Sequence, residues 1–557
     1  MEMIDQKLDL ILKKVQKPSR YTGGEYNQVV KSRHEVNIRV AFCFPDTYEI
    51  GMSNLGLRIL YGVLNNIDDV WCQRVFAPWT DMETEMRENK VPLYGLESYD
   101  AIRGFDMIAF SIGYELSYTN VLNMLDLAGI PFKASDRGEE DPLVIAGGSC
   151  CYNPEPIAKF FDLLVIGEGE EVLVELIDTF RDSTGKADFL KNARAISGVY
   201  VPALYTDGSP PLVKRIIEDL DNAYFPVNTI VPSTSVVHDR AVLELFRGCI
   251  RGCKFCHAGY TGNPVRSRSA KKLAQQGVAA LLNTGYDEIA LLSLSSSDYK
   301  HLGQLCDELL EWCEPRKVNL SMPSLRADNF DIKLLERVQK VRKSGLTFAP
   351  EAGSQRLRDY INKGITEEDL LEACKIAFSS GWSSVKLYFM LGLPTETDED
   401  VVAIADISHA VLKVWRDYGN TGNRSVRITV STSCFIPKPH TPFERKPQIT
   451  IAEYKRRVDL LKSSIRSKSI TYNWHSPEQG YIEAALSRGD KRLGQVIEAA
   501  WRLGARLDSW SEHFSLEKWI SAFNECNLEP DYFATRERED DERLPWSFIS
   551  TRGSCHD

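Results

Sequence analysis

Three cysteines lie within eight residues of one another near the middle of the chain. Cys249, Cys253 and Cys256 are separated by three and then by two residues, and Gly248 and Gly252 accompany them. Glycine lets the backbone bend around a ligand and direct amide N–H groups at it. Three thiolates bind three irons of a four-iron cubane and leave the fourth iron open to a small chelating ligand. The spacing therefore predicts a [4Fe–4S] cluster with one open coordination position.

Two other interpretations of these cysteines stay open. His257 would complete a Cys₃His zinc site, although the adjacent Cys256 and His257 would be awkward tetrahedral partners. A zinc knuckle also usually pairs with a second Cys-x-x-Cys, and the sequence contains only one. The cysteines could instead be structural, because free cysteine is often buried, but glycine-flanked triplets rarely arise in that way.

Short apolar runs alternate with helical stretches in the first part of the chain. These runs are nearly unbroken, which is typical of parallel strands covered on both faces. Strands are predicted at 38–44, 71–76, 107–112, 143–146 and 163–166. The alternation indicates a flavodoxin-like, doubly wound α/β domain over residues 1–200. Such a sheet places its ligands at the carboxyl ends of its strands.

A second α/β run follows an irregular, proline-containing connection at 201–235. Its strands are predicted at 241–246, 288–294, 317–321, 346–349, 385–391 and 426–431. Six βα units of this size fit a partial barrel over 236–450 better than a closed eight-stranded one. The three cysteines directly follow the first strand of this barrel. Residues 451–557 are expected to form a small, mostly helical region.

Composition narrows the class of protein and of partner. The chain has 557 residues and a net charge of −11, so nucleic acid is not its default partner. The N-terminus does not resemble a signal peptide, and no stretch approaches the ~18 apolar residues of a membrane helix. Thirteen cysteines, an odd number in a long chain, argue against a secreted disulfide scaffold. We therefore predict a cytoplasmic protein without a membrane segment.

The Cys-x₃-Cys-x₂-Cys motif at the end of the first barrel strand, with Phe255 before its third cysteine, resembles the signature of the radical S-adenosylmethionine (SAM) superfamily. The blocks LELFRGCIRGCKFC, FAPEAGSQRLR, LYFMLGLPTET and FIPKPHTPF are similar to an uncharacterised branch of that superfamily. In this branch a cobalamin-binding-like domain is fused in front of the barrel, as VIAGG and NPEPIAKFFDLLVIGEGEE also indicate. The resemblance implies an enzyme that cleaves SAM reductively to a 5′-deoxyadenosyl radical. It also implies an electron donor such as flavodoxin or ferredoxin.

The resemblance also assigns residues to SAM binding at the ends of the barrel strands. They are Ser293, Ser295 and Ser296 after the second strand, Glu351 after the fourth, and Gly392 and Pro394 after the fifth. Arg326 after the third strand is a further candidate, because an arginine could bind a carboxylate with two hydrogen bonds. Each has an ordinary structural alternative. Glu351 would also stabilise the amino end of a helix. Arg326 would also fit a surface ion pair, and Gly-x-Pro is a common entry to a loop.

The loop after the sixth strand supplies the candidates for the substrate end of the barrel. Its prolines stiffen the segment that contains Lys438 and His440, which we expect to face substrate or cobalamin. Cys434 is a candidate radical partner, with a free buried cysteine as the alternative. No substrate is identified by the sequence.

Cobalamin is the predicted third cofactor, after the cluster and SAM. The resemblance implies that the loops 45–56, 111–119 and 146–149 occupy the positions that surround the corrin in cobalamin-binding domains. No Asp-x-His-x-x-Gly motif follows the first strand, and His34 precedes it, so the cobalt would have no protein imidazole. Methyl transfer is the expected reaction, with cyclisation or rearrangement as the runner-up. A cobalamin-free radical SAM enzyme, a non-catalytic iron–sulfur scaffold and a separate partner protein stay open.

Overall fold

The computed structural model describes residues 2–322, 326, 328, 337–338, 345–419 and 425–551. Contacts divide the chain into two compact units. The first comprises Met1–Asp239, Leu486–Pro530 and Arg543–Asp557, and the second comprises Arg240–Ala485 and Asp531–Glu542. This division differs from the four predicted segments. Residues 451–557 do not form a unit of their own, because both units share them.

The first unit is built on a six-stranded sheet in the order β2-β1-β3-β4-β5-β6. The strands are β1 (Ile38–Phe44), β2 (Val70–Phe76), β3 (Met107–Ser111), β4 (Leu143–Gly147), β5 (Leu163–Val165) and β6 (Val199–Tyr200). The first five are parallel and β6 is antiparallel to β5. The order 2-1-3-4-5 is that of flavodoxin-like folds, which confirms the predicted class. Nearly every residue of β1 and β2 is buried, as their apolar runs predict.

Helices connect the strands of this sheet, and two more come from the C-terminal part of the chain. They are Glu2–Leu12, Tyr48–Gly51, Leu55–Asn65, Thr80–Asn89, Tyr118–Ala128, Glu170–Asp182, Lys186–Ala193, Leu493–Arg502 and Leu516–Glu525. Short 3₁₀ helices occur at Pro18–Arg20, Ile102–Gly104, Glu115–Ser117, Ala134–Asp136, Ser149–Tyr152, Ala158–Phe160 and Pro202–Leu204. The expected connection at 201–235 is mostly irregular and contains one short strand, β7 (Leu212–Val213).

The second unit contains two ladders of parallel strands. β8 (Ala241–Glu244), β11 (Glu288–Leu292) and β12 (Asn319–Ser321) form the first, in the order β12-β11-β8. β13 (Leu346–Glu351), β14 (Ser384–Leu391), β15 (Arg427–Cys434) and β16 (Ile470–Trp474) form the second in chain order. A short antiparallel pair, β9 (Phe246–Arg247) and β10 (Arg266–Ser267), flanks the cysteines. The last strand, β17 (Ile549–Ser550), pairs with β7 in the first unit.

Six of these seven parallel strands are those that the sequence predicts, so the partial βα barrel is confirmed. The seventh, β16, lies beyond the predicted end of the barrel at residue 450. Only Ile470 of its five residues (ITYNW) is buried, and polar residues interrupt the segment. It therefore has no apolar run by which a strand could be recognised.

The helices of the second unit follow its strands. They are His257–Thr261, Ala270–Thr284, Leu302–Arg316, Gln355–Tyr360, Glu367–Ser379, Asp398–Tyr418, Ile451–Ser464, Pro477–Ser487 and Pro530–Ala534, with a 3₁₀ helix at Ser296–Asp298. Ser269, Ser354, Thr366 and Thr450 each accept a backbone N–H at the start of a helix. Such caps satisfy donors that would otherwise be unpaired, and they fix where each helix begins. Across the described residues, no helix combines the length and the apolar character that a membrane span requires.

Candidate active site

The cysteine loop, residues 249–256, lies between β9 and the helix His257–Thr261. Gly248 and Gly252 have φ angles of +85° and +66°, in the left-handed region that favours glycine. The Cys249 amide donates to Asn263 Oδ1 at 3.0 Å. Cys256 caps the following helix, because its Sγ accepts from the Gly259 amide at 3.4 Å. The loop is therefore held at both ends by local hydrogen bonds, as its sequence suggests.

The cysteine thiols are partly buried and lie close enough to influence one another. Burial raises the pKa of Cys253, whereas the nearby charges of Lys363 and Arg326 act in the opposite direction. Burial likewise raises the pKa of Cys256, which Lys363 lowers and Glu351 raises. Three charged side chains from later parts of the chain, Arg326, Glu351 and Lys363, thus lie near the cysteines.

The described residues contain no group of three or more His, Cys, Asp or Glu side chains that converges on a single metal ion. Sulfurs around one tetrahedral zinc, with Zn–S bonds of about 2.3 Å, would stand about 3.8 Å apart. Thiolates that bind separate irons of a cubane stand farther apart.

Glu351 ends β13 beside the cysteine loop. Its φ angle is +68°, and the pairing of β13 with β14 shifts register between Phe348 and Glu351. A non-glycine residue in this region carries backbone strain, which often marks a functional site. Lys363 Nζ lies 3.1 Å from Glu351 Oε1, and both side chains are less than one-fifth exposed. Glu351 thus belongs to an internal ion pair, and the sequence reasoning missed its partner.

Arg326 is also internal, in contrast to the surface ion pair that was the alternative. Its side chain is 10% exposed, and its Nε donates to Asp328 Oδ1 at 2.8 Å. Asp328 Oδ2 accepts in addition from Arg251 Nη1 at 3.0 Å. Arg326 Nη2 donates to the Lys363 carbonyl at 3.2 Å, and its amide to Ser297 Oγ at 3.0 Å. Arg326 therefore connects the cysteine loop with two strand ends.

The predicted serines follow β11. Ser293 Oγ and Ser296 Oγ are 3.1 Å apart, and Ser296 Oγ also donates to the Leu291 carbonyl at 3.2 Å. Ser295 is buried. Although burial opposes the change, Arg251 and Ser295 together lower the pKa of Asp298. The serines thus form a compact hydroxyl-lined turn next to an arginine of the cysteine loop.

Gly392 and Pro394 lie in the turn after β14. Gly392 has a φ angle of +90°, and a Cβ on it would lie 2.7 Å from Ile449 Cγ1. Its amide donates to Glu396 Oε2 at 2.7 Å, and Glu396 pairs with Arg457. This buried glutamate, which the sequence reasoning also missed, makes the turn more specialised than an ordinary Gly-x-Pro loop entry.

A hydrophobic cluster joins the blocks that carry these residues. It comprises Ala352, Leu357, Ile361, Met390, Leu393, Phe435 and Phe443, with Phe255 and Tyr360 packed against it. Phe255 comes from the cysteine loop, Ala352 is next to Glu351, and Leu393 lies between Gly392 and Pro394. The packing therefore brings together four sequence blocks that are up to about 190 residues apart.

The three substrate-end candidates have different surroundings. Lys438 Nζ pairs with Glu483 at 2.9 Å. His440 has a φ angle of +60°, and its amide donates to Glu444 Oε2 at 2.7 Å. Burial raises the pKa of Cys434 to about 12, so its thiol stays protonated at neutral pH. Cys434 is partly buried and its Sγ contacts Gln448 Nε2 at 3.4 Å.

The carboxyl edge of the first unit's sheet is partly closed by the C-terminal segment 486–530. Asp46 Oδ1 and Oδ2 accept from Trp510 Nε1 and Ser509 Oγ, each at 2.9 Å. Thr119 Oγ1 donates to Asp508 Oδ2 at 2.9 Å. Two of the three loops predicted to surround cobalamin, 45–56 and 111–119, therefore hold this segment. The sequence reasoning assigned it no role.

The same edge stays accessible between β3 and β4. Gly113 and Ser149 are exposed, and Ser149 Oγ donates to the Gly113 carbonyl at 3.1 Å. A Cβ on Gly113 would meet nothing within 4 Å. Small residues therefore leave the backbone open to close approach by a large flat ligand.

Comparison with known proteins gives a consistent result. A family profile described as "Radical SAM proteins, N-terminal" matches residues 56–202, and one described as "Radical SAM superfamily" matches 243–407. An uncharacterized protein of Methanocaldococcus jannaschii is 29% identical over 493 residues, which cover 87% of this chain and 96% of that protein. The tRNA-2-methylthio-N(6)-dimethylallyladenosine synthase of Pelotomaculum thermopropionicum is 23% identical over 64% of this chain and 80% of its own.

Two solved structures share the fold. One is the radical SAM methyltransferase TsrM from Kitasatospora setae with cobalamin and a [4Fe–4S] cluster bound. It has a TM-score of 0.50 and 15% identity, and the match covers 75% of this chain and 78% of that one. The other is the cobalamin-dependent radical enzyme OxsB with aqua-cobalamin and SAM bound. It has a TM-score of 0.50 and 13% identity, over 87% of this chain and 72% of its own.

Proposed function

Because this chain belongs to the radical SAM superfamily of enzymes, we propose that Cys249, Cys253 and Cys256 ligate a [4Fe–4S] cluster that binds SAM at its open iron. When bound, such a cluster supplies the electron that divides SAM into methionine and a 5′-deoxyadenosyl radical. The observation that carries the proposal is the segment 248–256, in which three cysteines and two left-handed glycines follow the barrel strand β8 and the short strand β9.

The other residues of the site have complementary tasks. Glu351 and Lys363 present opposite charges beside the cysteines, which suits the ammonium and carboxylate of the methionine part of SAM. Ser295 and the Gly392 turn border the same strand ends. The hydrophobic cluster around Phe255 excludes water from this side of the site. Exclusion of water protects a reactive radical from side reactions.

The experiment that tests this proposal is anaerobic purification or reconstitution, followed by iron analysis and incubation with SAM and dithionite. We expect about four irons per chain and release of 5′-deoxyadenosine. Replacing the three cysteines by alanine should abolish both. Cys374→Ala is the matched control, because Cys374 is a fully buried cysteine of the same unit outside the loop. Stoichiometric zinc without iron would contradict the proposal. An iron-loaded protein that never cleaves SAM would favour the scaffold alternative.

We also propose that the first unit binds cobalamin and that the enzyme transfers a methyl group. The flavodoxin-like strand order and the open, small-residue edge at Gly113 and Ser149 support this second cofactor. The fold is shared with two enzymes whose structures contain cobalamin. The loop 45–56 after β1 contains no histidine, so a bound cobalamin would be expected in its base-off form. The edge between β3 and β4 would hold the corrin, since the segment 486–530 already contacts the β1 loop.

Full-length protein incubated with hydroxocobalamin and passed through anaerobic gel filtration should retain about one equivalent with a base-off spectrum. Gly113→Trp fills the open space after β3 and should reduce retention. Gly104→Trp is its matched control, because Gly104 also has free space around it but lies before β3, at the opposite edge. If the wild-type protein elutes without cobalamin while still cleaving SAM, a cobalamin-free radical SAM enzyme remains. Omitting the one-electron donor, such as flavodoxin or ferredoxin, should stop turnover in either case.

A further inference from the structure

The turn formed by residues 361–364 lies directly against the cysteine loop. Asn362 Nδ2 donates to the carbonyls of Arg251 and Gly252, at 3.2 and 2.9 Å. The Lys254 amide donates to the Ile361 carbonyl at 3.0 Å. These three hydrogen bonds engage the residues on both sides of Cys253. The Arg251 side chain adds three further hydrogen bonds to distant segments, two to Asp298 and one to Asp328.

The turn is itself firmly held. Ile361 is fully buried in the hydrophobic cluster defined above. Lys363 reaches back to Glu351, and Arg326 donates to the Lys363 carbonyl at 3.2 Å. The turn thus connects the cysteine loop to the ends of two strands. A rigid support of this kind is what a precisely placed set of ligands requires.

Asn362 matches its position in two respects. Its φ angle is +56°, and asparagine tolerates this left-handed conformation better than most residues do. Its side-chain amide also provides two N–H donors for the two carbonyls. Gly252 lies so close that a Cβ on it would be 3.4 Å from Asn362 Nδ2. The glycine of the cysteine loop and the asparagine of the turn therefore fit each other.

We propose that Asn362 is a positioning residue for the cluster: by holding the Arg251 and Gly252 carbonyls it fixes the place of Cys253 before and after iron binds. This inference rests on the proposed function, in which Cys253 is a ligand. Asn362 would act through the loop backbone, because its side-chain amide donates to the Arg251 and Gly252 carbonyls. Its contribution is to keep the loop in its binding geometry, so that little ordering is needed when the cluster is inserted.

Two variants test this role in the full-length protein. Asn362→Gly keeps the left-handed backbone but removes both donors. Asn362→Asp keeps the shape but sets carboxylate oxygens, which cannot donate, against two carbonyls. The matched control is Asn527→Gly, because Asn527 has a φ angle of +53° and belongs to the first unit, whereas the cysteine loop belongs to the second.

The first readout uses cluster-free protein, namely the rate at which iodoacetamide alkylates Cys253, followed by peptide mass spectrometry. The second uses reconstituted protein, namely the rate at which a ferrous chelator removes iron from the reduced cluster and the electron paramagnetic resonance spectrum of that cluster. We expect both rates to rise about tenfold for Asn362→Gly and more for Asn362→Asp, with a changed spectrum. Asn527→Gly should match the wild type.

Several results would overturn the inference. If wild-type protein holds a cluster and both Asn362 variants match it in all three measurements, Asn362 is only a surface residue. A rise in alkylation of Cys253 together with the buried Cys374 would mean general loosening, and would also contradict a specific role. If wild-type protein never binds iron, the proposed function fails. Faster alkylation of Cys253 in the cluster-free variants would then still support the role of Asn362 in holding the loop, and an unchanged alkylation rate would contradict that role.

Discussion

Replacing Glu351 by alanine should weaken SAM binding about tenfold without removing the cluster. Both residues are non-glycine, so the strain of the φ angle of +68° is the same in the variant. The expected loss follows from the Glu351–Lys363 pair, whose side chains are 17% and 11% exposed. A charge-assisted hydrogen bond to the SAM ammonium would contribute roughly 2 kcal/mol. When SAM binds, Glu351 would lose part of its contact with Lys363, and this loss offsets about 0.6 kcal/mol of the gain. The difference, about 1.4 kcal/mol, is tenfold in Kd.

The assay is anaerobic titration calorimetry of reconstituted protein with SAM, accompanied by iron analysis. Glu288→Ala provides the matched control. Glu288 forms a comparable partly buried pair with Arg240 at 2.7 Å, but it lies at the amino end of β11, away from the strand ends that carry the site. We expect full iron content in both variants and a higher Kd only for Glu351→Ala. An unchanged Kd in that variant would refute the reasoning and leave Glu351 as a structural partner of Lys363.

Three further predictions concern single residues, one in the second unit and two in the first. Gly392→Ala places a Cβ 2.7 Å from a neighbouring side chain, at a φ angle of +90°. The variant should therefore be about 1–3 kcal/mol less stable, as thermal unfolding would measure, and should bind SAM more weakly, as calorimetry would measure. Replacing Arg74 by methionine should destabilise the first unit by about 3–5 kcal/mol, because Arg74 is fully buried between two glutamates, at 2.6 and 2.8 Å. Urea unfolding would measure this loss, and a value below about 1 kcal/mol would contradict the prediction. Burial raises the pKa of Asp508 to about 6, so the folded state holds this proton more tightly than the unfolded chain does, whose pKa is about 3.9. Its stabilising contribution is therefore complete below about pH 4, and about 3 kcal/mol is lost as the pH rises through 6. Asp508→Asn keeps a hydrogen-bonding partner for Thr119 and should lack this pH dependence. Unfolding free energies of the two proteins, measured at about pH 4 and pH 8, provide the comparison.

Local features of the sequence were sufficient for the cysteine loop and for most strands. Cys249, Cys253 and Cys256 lie within eight residues, so the sequence alone shows that they belong to one loop, although hydrogen bonds from Asn362 also hold that loop. The apolar runs of β1 and β3 are buried on both faces, and such runs are recognisable because burial leaves them few polar residues. Their alternation with helices was enough to predict parallel sheets.

Partly polar and long-range elements were not predictable in this way. β16 buries one residue of five and has no strand pattern, although it extends the second ladder through its pairing with β15. Lys363 and Asn362 lie in a polar turn whose sequence gives no sign of a partner. Their roles depend on the cysteine loop, about 110 residues away.

The segment 486–530 gives the clearest contrast between the two sources of information. Its sequence predicts helices, and helices are what it forms. Only the tertiary structure decides that Asp508 meets Thr119, 389 residues earlier, and that the segment closes part of the sheet edge of the first unit. A helix pattern reports which face is apolar, but not which surface that face will cover. Hydrogen bonds between segments so far apart leave no periodicity in the sequence, because each partner by itself is an ordinary polar residue.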